Sequence, residues 1–289
     1  MQSRVRHDAC VHPLFYSFGV GALRLSALLL FVYVIACLLL LWRQEQLIFY
    51  RVQNDPLLKQ QHRRNEIEIV GRDAQLQGWW LGKDKPLPLI IYFGGNAEDV
   101  LYSANQLSDL GFASVLAVNY RGYGASSGSP SQQALYDDAL RIYDYAIEHG
   151  AEPHRIIVFG RSLGSGVATM LAASRTVAGA ILVTPFDRLS AVAAGHYPMF
   201  PVRLLLRHPF PSDEWAKNAR APALILAAEL DTIVPASHAR VLAEHWAGEK
   251  HFELLRNVGH NDVDHDSTYY PAIEQFVRTV AGPHAVQTP

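Results

Sequence analysis

Apolar positions follow two patterns along the chain, and the first is one unbroken block. Residues 25–42, LSALLLFVYVIACLLLLW, run for eighteen positions without a charge. A helix there spans roughly 27 Å at about 1.5 Å per residue, close to the hydrocarbon thickness of a bilayer. Arg24 and Arg43 bracket the block, and Trp42 stands where an interfacial aromatic is expected. No other segment is as uniformly apolar, so the pattern predicts a single membrane anchor rather than a core helix. Residues 1–24 precede it, and the polar, mixed residues 43–64 are expected to form a juxtamembrane linker. No Ala-x-Ala-like cleavage site follows the block, against a secretory signal. Val34-Ile35-Ala36-Cys37 matches part of a lipobox, but residues 38–41 continue the apolar run. A Cys37→Ser chain loses a lipid only under the lipobox reading.

From residue 65 to about 283 the pattern alternates. Residues 66–70 and 75–81 show strand alternation and predict an antiparallel opening hairpin. Residues 87–93 and 112–118 are short apolar runs, the mark of strands buried on both faces, and residues 155–159, 178–183, 223–228 and 251–255 are further strands. Helical patterns lie between them, at 98–110, behind 129–132, at 162–174, 236–247 and 270–281. The helix after residue 129 puts Leu135, Ala139, Ile142 and Ala146 on one face. Ser129-Pro130-Ser131-Gln132 reads as its capping box, with Ser129 as N-cap and Pro130 in first position. Strand–helix alternation over more than 200 residues predicts a mostly parallel sheet with helices on both faces. Between Pro185 and Ala221 no strand signal occurs, only a stretch rich in Pro, His and Arg. A small lid at about 186–220 is expected there.

Composition narrows the function class. Of 289 residues, 49% are hydrophobic and 18% charged, enough for a large core. Lys+Arg 25 against Asp+Glu 27 leaves a net charge of −2, which gives no footprint for nucleic acid. Two cysteines, Cys10 and Cys37, exclude a disulfide framework and a Cys-rich zinc site. Arg4, Arg6 and Arg24 before the apolar block balance Arg43, Arg51 and Lys59 after it, so the positive-inside rule does not fix an orientation. Arginine far outnumbers lysine, a bias that points to a GC-rich bacterial genome and hence an inner membrane.

The chemistry sits at strand ends. Gly160-Arg161-Ser162-Leu163-Gly164 follows an apolar strand and opens a helix, the full G-x-S-x-G context. So tight a turn strains its central residue, and glycines two positions either side remove the collision of side chains. Gly166, one turn on, is expected to let the helix pack close to the sheet. Ser162 is the candidate nucleophile, and a hydroxyl needs a base. His260, in the loop after the last strand, is the candidate. Asp231, ending the strand ALILAAE, is the expected orienting carboxylate, with Asp187 as competitor. Asp262 lies too close in sequence to back His260 and is expected to bond within its own loop. The Leu163 N–H and a donor from Gly94-Gly95-Asn96-Ala97 would bind the oxyanion. Asn96 N–H is the first choice and Gly95 N–H the alternative. A phosphate loop is excluded, since no Gly-Lys-Ser/Thr follows. No metal or organic cofactor is implied, because the acidic run HNDVDHD has no ligand spacing.

The segments FGGNAED, NYRGYGASSGSPS, VFGRSLGSGVA, TPFDRL, ELDTIVP and NVGHNDV together resemble the α/β-hydrolase superfamily. More narrowly they resemble its membrane-anchored, bud-emergence (Bem-like) branch, akin to animal abhydrolase-domain proteins, over about residues 40–280. The resemblance implies the α/β-hydrolase fold, Ser162, Asp231 and His260 as triad, and Asn96 with Leu163 as oxyanion donors. Many relatives have His-Gly-Asn at Gly94-Gly95-Asn96 and Asp at Asn119. Neither departure touches the triad. Some animal relatives cleave thioesters of lipidated proteins, which for this chain is analogy at the level of fold.

For substrate, only the lid is informative. His196-Tyr197-Pro198-Met199-Phe200-Pro201 is apolar and aromatic, and Arg203 and Arg207 lie one helical turn apart. A small-molecule or lipid acyl group is expected against Gly95, Phe186 and Tyr197, with the two arginines against lipid phosphate. The expected reaction is ester or thioester hydrolysis through an acyl-enzyme. The alternatives are a peptidase or amidase of the same fold, and an anchored binding protein without catalysis.

Overall fold

The structure, a computed structural model, describes residues 13–281. Arg4, Arg6, Cys10 and the last positions of the expected catalytic domain, 282–283, lie outside the described residues. The chain divides at Gln44/Glu45 into two compact units. Helix α1 (Pro13–Ile48), most of it in the first unit, runs unbroken through Cys37. Its stretch Leu23–Ile48 is long and apolar enough to cross a membrane, about 39 Å at 1.5 Å per residue. Leu28, Phe31 and Trp42 are exposed along it.

The second unit is built on strands β1 (Glu66–Val70), β2 (Gln75–Leu81), β3 (Leu89–Phe93), β4 (Ser114–Val118), β5 (Ile156–Arg161), β6 (Gly179–Val183), β7 (Ala223–Ala228) and β8 (Lys250–Leu255). They form one sheet in the order β1-β2-β4-β3-β5-β6-β7-β8. β2 pairs antiparallel with β1 and with β4, and every later pairing is parallel. The continuous apolar runs divide between two cores. In β3, Leu89, Ile91 and Phe93 face one core, while Ile90 and Tyr92 face the other. In β5, Val158 and Phe159 point to opposite sides and are both buried. Burial of such a side chain stabilises by about 1.5–3 kcal/mol, so few positions on these strands tolerate a polar residue.

Helices α4 (Gln132–Glu148), α5 (Leu163–Ser174) and α9 (Ala236–His245) cover the first face. Helices α3 (Val100–Asp109) and α10 (Tyr269–Ala281) cover the second. Leu135, Ala139, Ile142 and Ala146 are all buried, as their spacing requires. The cap of α4 differs from expectation. Ser131, not Ser129, is the N-cap, and its Oγ accepts from Ala134 N–H at 3.1 Å. Gln132 does not turn back to close a capping box, because its Oε1 accepts from Phe210 N–H at 2.6 Å.

Residues 45–64 also differ from the expected linker. A short helix (Pro56–Gln61) is capped by Asp55. Phe49 is buried against His208, ring centroids 5.2 Å apart. Asn54 is buried too, donating to Asp99 Oδ1 at 2.6 Å and accepting from Asn119 Nδ2 at 2.7 Å. The polar letters hid these partners because both lie more than forty residues away.

The stretch expected as a lid carries three short helices, α6 (Leu189–His196), α7 (Val202–Leu205) and α8 (Ser212–Ala216). Its base is cinched. Arg188 bridges to Pro211 and donates to Asp213 Oδ2 at 2.9 Å. Helix α7 stops before Arg207, so Arg203 and Arg207 do not share a helical face.

Candidate active site

Parallel register brings the ends of β3, β5, β6, β7 and β8 to one sheet edge: Phe93 pairs with Gly160, Arg161 with Val183, and Ala228 with Leu255. Ser162 stands in the turn from β5 to α5 with φ 49° and ψ −116°. For a residue with a side chain this left-handed conformation is strained by about 1–3 kcal/mol, and the surroundings must enforce it. They do so through close packing. A methyl group on Gly164 would lie 2.0 Å from Phe93 O, and one on Gly160 would lie 2.4 Å from Gly164 O. Only glycine fits at either position. Gly166 has a different role from the one expected: the space beside it is filled by the rings of Phe186 and Phe210, not by the sheet.

The strained turn aims Ser162 Oγ at His260 Nε2, 2.8 Å away. His260 Nδ1 lies 2.7 Å from Asp231 Oδ2. Because a carboxylate accepts, Nδ1 carries the proton and Nε2 is left to accept from the serine hydroxyl. Asp231 is fixed in turn, its Oδ1 accepting from Ile233 N–H at 2.9 Å and Val234 N–H at 2.7 Å. Imidazole and carboxylate are both buried. The competitor Asp187 is committed elsewhere: His238 Nδ1 donates to its Oδ1 at 2.6 Å. Burial alone would raise the Asp187 pKa, but the bond from His238 and hydrogen bonds from the backbone together outweigh it and hold the carboxyl below its ordinary value. Asp262 accepts from Gly259 N–H at 2.7 Å, within its own loop.

Geometry separates the two candidate oxyanion donors. Gly95 N–H is taken by Glu98 Oε2 at 2.6 Å. Gly94 O accepts from Tyr120 OH at 2.9 Å, and Asn96 Oδ1 accepts from Tyr50 N–H at 2.7 Å. These bonds fix the loop and leave the Asn96 N–H without an acceptor among the described residues. The loop lies against Ser162, since a methyl on Gly95 would sit 3.5 Å from its Cβ. Leu163 N–H opens α5 and has no carbonyl four residues behind it within the helix.

Sequence reasoning missed two residues beside this loop, Glu98 and Arg161. Glu98 also accepts from Ser103 Oγ at 2.5 Å and from the Tyr92 hydroxyl. Arg161 Nη1 donates to Glu98 Oε2 at 3.0 Å, and Nη2 to His260 O at 3.3 Å and Asn261 Oδ1 at 3.1 Å. Burial opposes the Arg161 charge, but the Glu98 carboxylate together with the neighbouring Tyr92 and Tyr269 outweighs it and holds the guanidinium pKa above its ordinary value. Burial and the nearby Glu98 charge push the Tyr92 hydroxyl well above its usual range, so it stays a donor. One signal was legible: a carboxylate three residues after a turn N–H, the spacing by which capping side chains reach backbone.

Of the expected substrate contacts, Gly95 is at the site. Phe186 is 1% exposed and packs on Phe210, centroids 6.4 Å apart, as a core residue under the lid. Tyr197 ends α6 and is exposed, as are Leu204, Leu230 and Ile233. His196 Nε2 donates to Ile233 O at 2.8 Å, tying the lid to the loop that carries Asp231.

A family profile described as serine hydrolase matches residues 142–279. The chain is 34% identical over 239 residues to the uncharacterised protein Rv2307c of Mycobacterium tuberculosis, covering 78% of this chain and 83% of that one. It is 33% identical over 175 residues to the lysophosphatidylserine lipase ABHD12 of Danio rerio, 51% of this chain and 44% of that protein. Among solved structures, an α/β-hydrolase from Vibrio vulnificus matches with a TM-score of 0.64 at 19% identity, over 82% of this chain and 90% of that one, a likeness of fold. Profile and relatives together place the chain among the serine hydrolases of the α/β-hydrolase fold, as an abhydrolase-domain-like enzyme.

Proposed function

We propose that the protein is a membrane-anchored serine esterase that hydrolyses lipid-like acyl esters through Ser162, His260 and Asp231. The observation that carries this is the unbroken chain of contacts, 2.8 Å from Ser162 to His260 and 2.7 Å from His260 to Asp231. Ser162 Oγ attacks the acyl carbon while His260 Nε2 takes its proton, and Asp231 stabilises the imidazolium that forms. The carbonyl oxygen becomes an oxyanion held by the N–H groups of Asn96 and Leu163. Loss of one such donor typically costs about 2.7–4 kcal/mol of barrier, so the loop matters nearly as much as the base. The imidazolium returns the proton to the leaving alcohol as the carbon–oxygen bond breaks. Water, activated by the same nitrogen, then releases the acid and restores Ser162.

An ester or thioester suits this site better than an amide, whose amine leaving group demands more of the acid. Three features favour an apolar acyl group. Tyr197, Leu204, Leu230 and Ile233 are exposed on the lid and the neighbouring loop. The chain carries a helix of membrane length, Leu23–Ile48. The Danio rerio relative is named a lysophosphatidylserine lipase. Helix α1, continuous through Cys37, serves as the anchor. The test is a panel of acyl esters of rising chain length with the full chain in detergent. Faster turnover of octanoate than acetate is expected, and a preference for acetate would contradict the lipid-like substrate.

A further inference from the structure

Glu98 and Arg161 hold more of the active-site rim than their sequence positions suggest. Glu98 Oε2 receives Gly95 N–H, so this carboxylate closes the turn whose next peptide carries the Asn96 N–H. The turn is not at rest, since Ala97 takes a left-handed φ of 59°. Arg161 stands immediately before the nucleophile, and its guanidinium meets Glu98 on one side and His260 O with Asn261 Oδ1 on the other. One planar cation thus contacts the oxyanion loop's anchor and the backbone of the base. Lysine, a point charge on a flexible stem, cannot reproduce that fork. A polar cavity of about 500 Å³ opens on the pair, lined by Tyr92, Asn96, Glu98, Arg161, Asn261 and Tyr269.

We propose that Glu98 and Arg161 act as a positioning couple that fixes the Asn96 N–H for the oxyanion and locks its loop to that of His260. The couple touches no reacting atom; it acts through Asn96 and His260, and it rests on the hydrolase function proposed above. A hole formed by backbone groups is only as good as their alignment, because a displacement of about 1 Å can cost a hundredfold in rate. The couple should therefore govern turnover rather than substrate binding.

The test uses the full chain in detergent with an octanoate ester, comparing wild type, Ser162→Ala, Arg161→Ala, Glu98→Gln and the Arg161→Ala/Glu98→Gln double variant. For Arg161→Ala and Glu98→Gln, kcat is expected to fall about 10–100-fold with KM within about threefold. The double variant should lose no more than the worse single variant, because both remove one linkage. The cavity gives a readout that a merely structural role would not move. Millimolar guanidinium chloride should restore part of kcat to Arg161→Ala and none to Ser162→Ala, and equimolar potassium chloride or urea should not. Should Arg161→Ala fail to fold, Arg161→Lys, which keeps the charge, is expected to fold with an intermediate kcat. Wild-type kcat in the arginine variants, multiplying losses in the double variant, or no gain with guanidinium would overturn the couple. The two claims fail separately: an active Ser162→Ala removes the hydrolase function, whereas a silent Ser162→Ala beside a fully active Arg161→Ala removes only the couple.

Discussion

The rim around Ser162 and the lid at 186–220 are neighbours built on opposite principles. At the rim almost every polar group is spoken for. Asp231 accepts three hydrogen bonds, Glu98 accepts four, and the two glycines flanking Ser162 leave no room for a methyl. In the lid the longest helix has eight residues, and Tyr197, Met199 and Leu204 are exposed. Over-determination at the rim suits chemistry, which needs donors in place before charge develops. Exposed apolar side chains on short helices suit recognition of a flexible acyl chain, where area counts for more than angle.

Substitutions at the rim should therefore destroy turnover, and those in the lid should only retune it. The largest effect is expected at the base: His260→Ala should lower kcat by about 10⁴-fold or more with the fold intact by circular dichroism. Retention of a tenth of the activity would break the comparison at its strongest point. Next comes Gly164→Ala, whose methyl would lie 2.0 Å from Phe93 O and push the elbow off the β3 edge. Overpacking of this kind costs about 1–3 kcal/mol or more, so melting temperature and kcat should fall together. An active, equally stable Gly164→Ala would show that the close packing is not needed.

In the lid, Leu204→Ser should leave stability within about 0.5 kcal/mol, because the side chain is exposed. It should still lower the octanoate-to-butyrate ratio of kcat/KM by about a fewfold, one or two apolar contacts' worth. An unchanged ratio would remove Leu204 from acyl recognition. The smallest effect is at Asp187, where the lid begins. The Asp187 carboxyl is lower in pKa when folded than when unfolded, because bonds from His238 and from the backbone together outweigh burial. The folded state therefore binds fewer protons, and the stabilisation is complete above the ordinary carboxylate range and lost as pH falls through the lowered folded value. Urea titrations of Asp187→Asn should accordingly show a shallower loss of stability on acidification than wild type. An identical acid slope would deny the His238 pairing any energetic weight.

The same division explains what could be read from sequence. Strands such as LIIYF and IIVFG are legible because burial on both faces demands unbroken apolar runs. Ser162, Asp231 and His260 could be named because each follows a strand of the parallel part of the sheet, whose register brings strand ends together. What escaped depends on partners far along the chain. Gln132 left the capping box for Phe210, 78 residues away. Residues 49–55 looked like linker until Phe49 and Asn54 met His208 and Asp99. Phe186, placed by sequence against substrate, is buried on Phe210 because Gly166 leaves a notch for both rings. Arg161 was an unspecified letter of the motif, and only three-dimensional neighbours give its guanidinium a task.

The central claim is that His260 and the rim around it activate Ser162 as a nucleophile. It is tested most directly by treating the full chain with a fluorophosphonate and locating the adduct by peptide mass spectrometry. One phosphonyl group on Ser162 is expected in the wild-type chain, with none on Ser162→Ala and strongly slowed labelling of His260→Ala. A wild-type chain that stays unlabelled, or carries the group on another residue, would contradict the account.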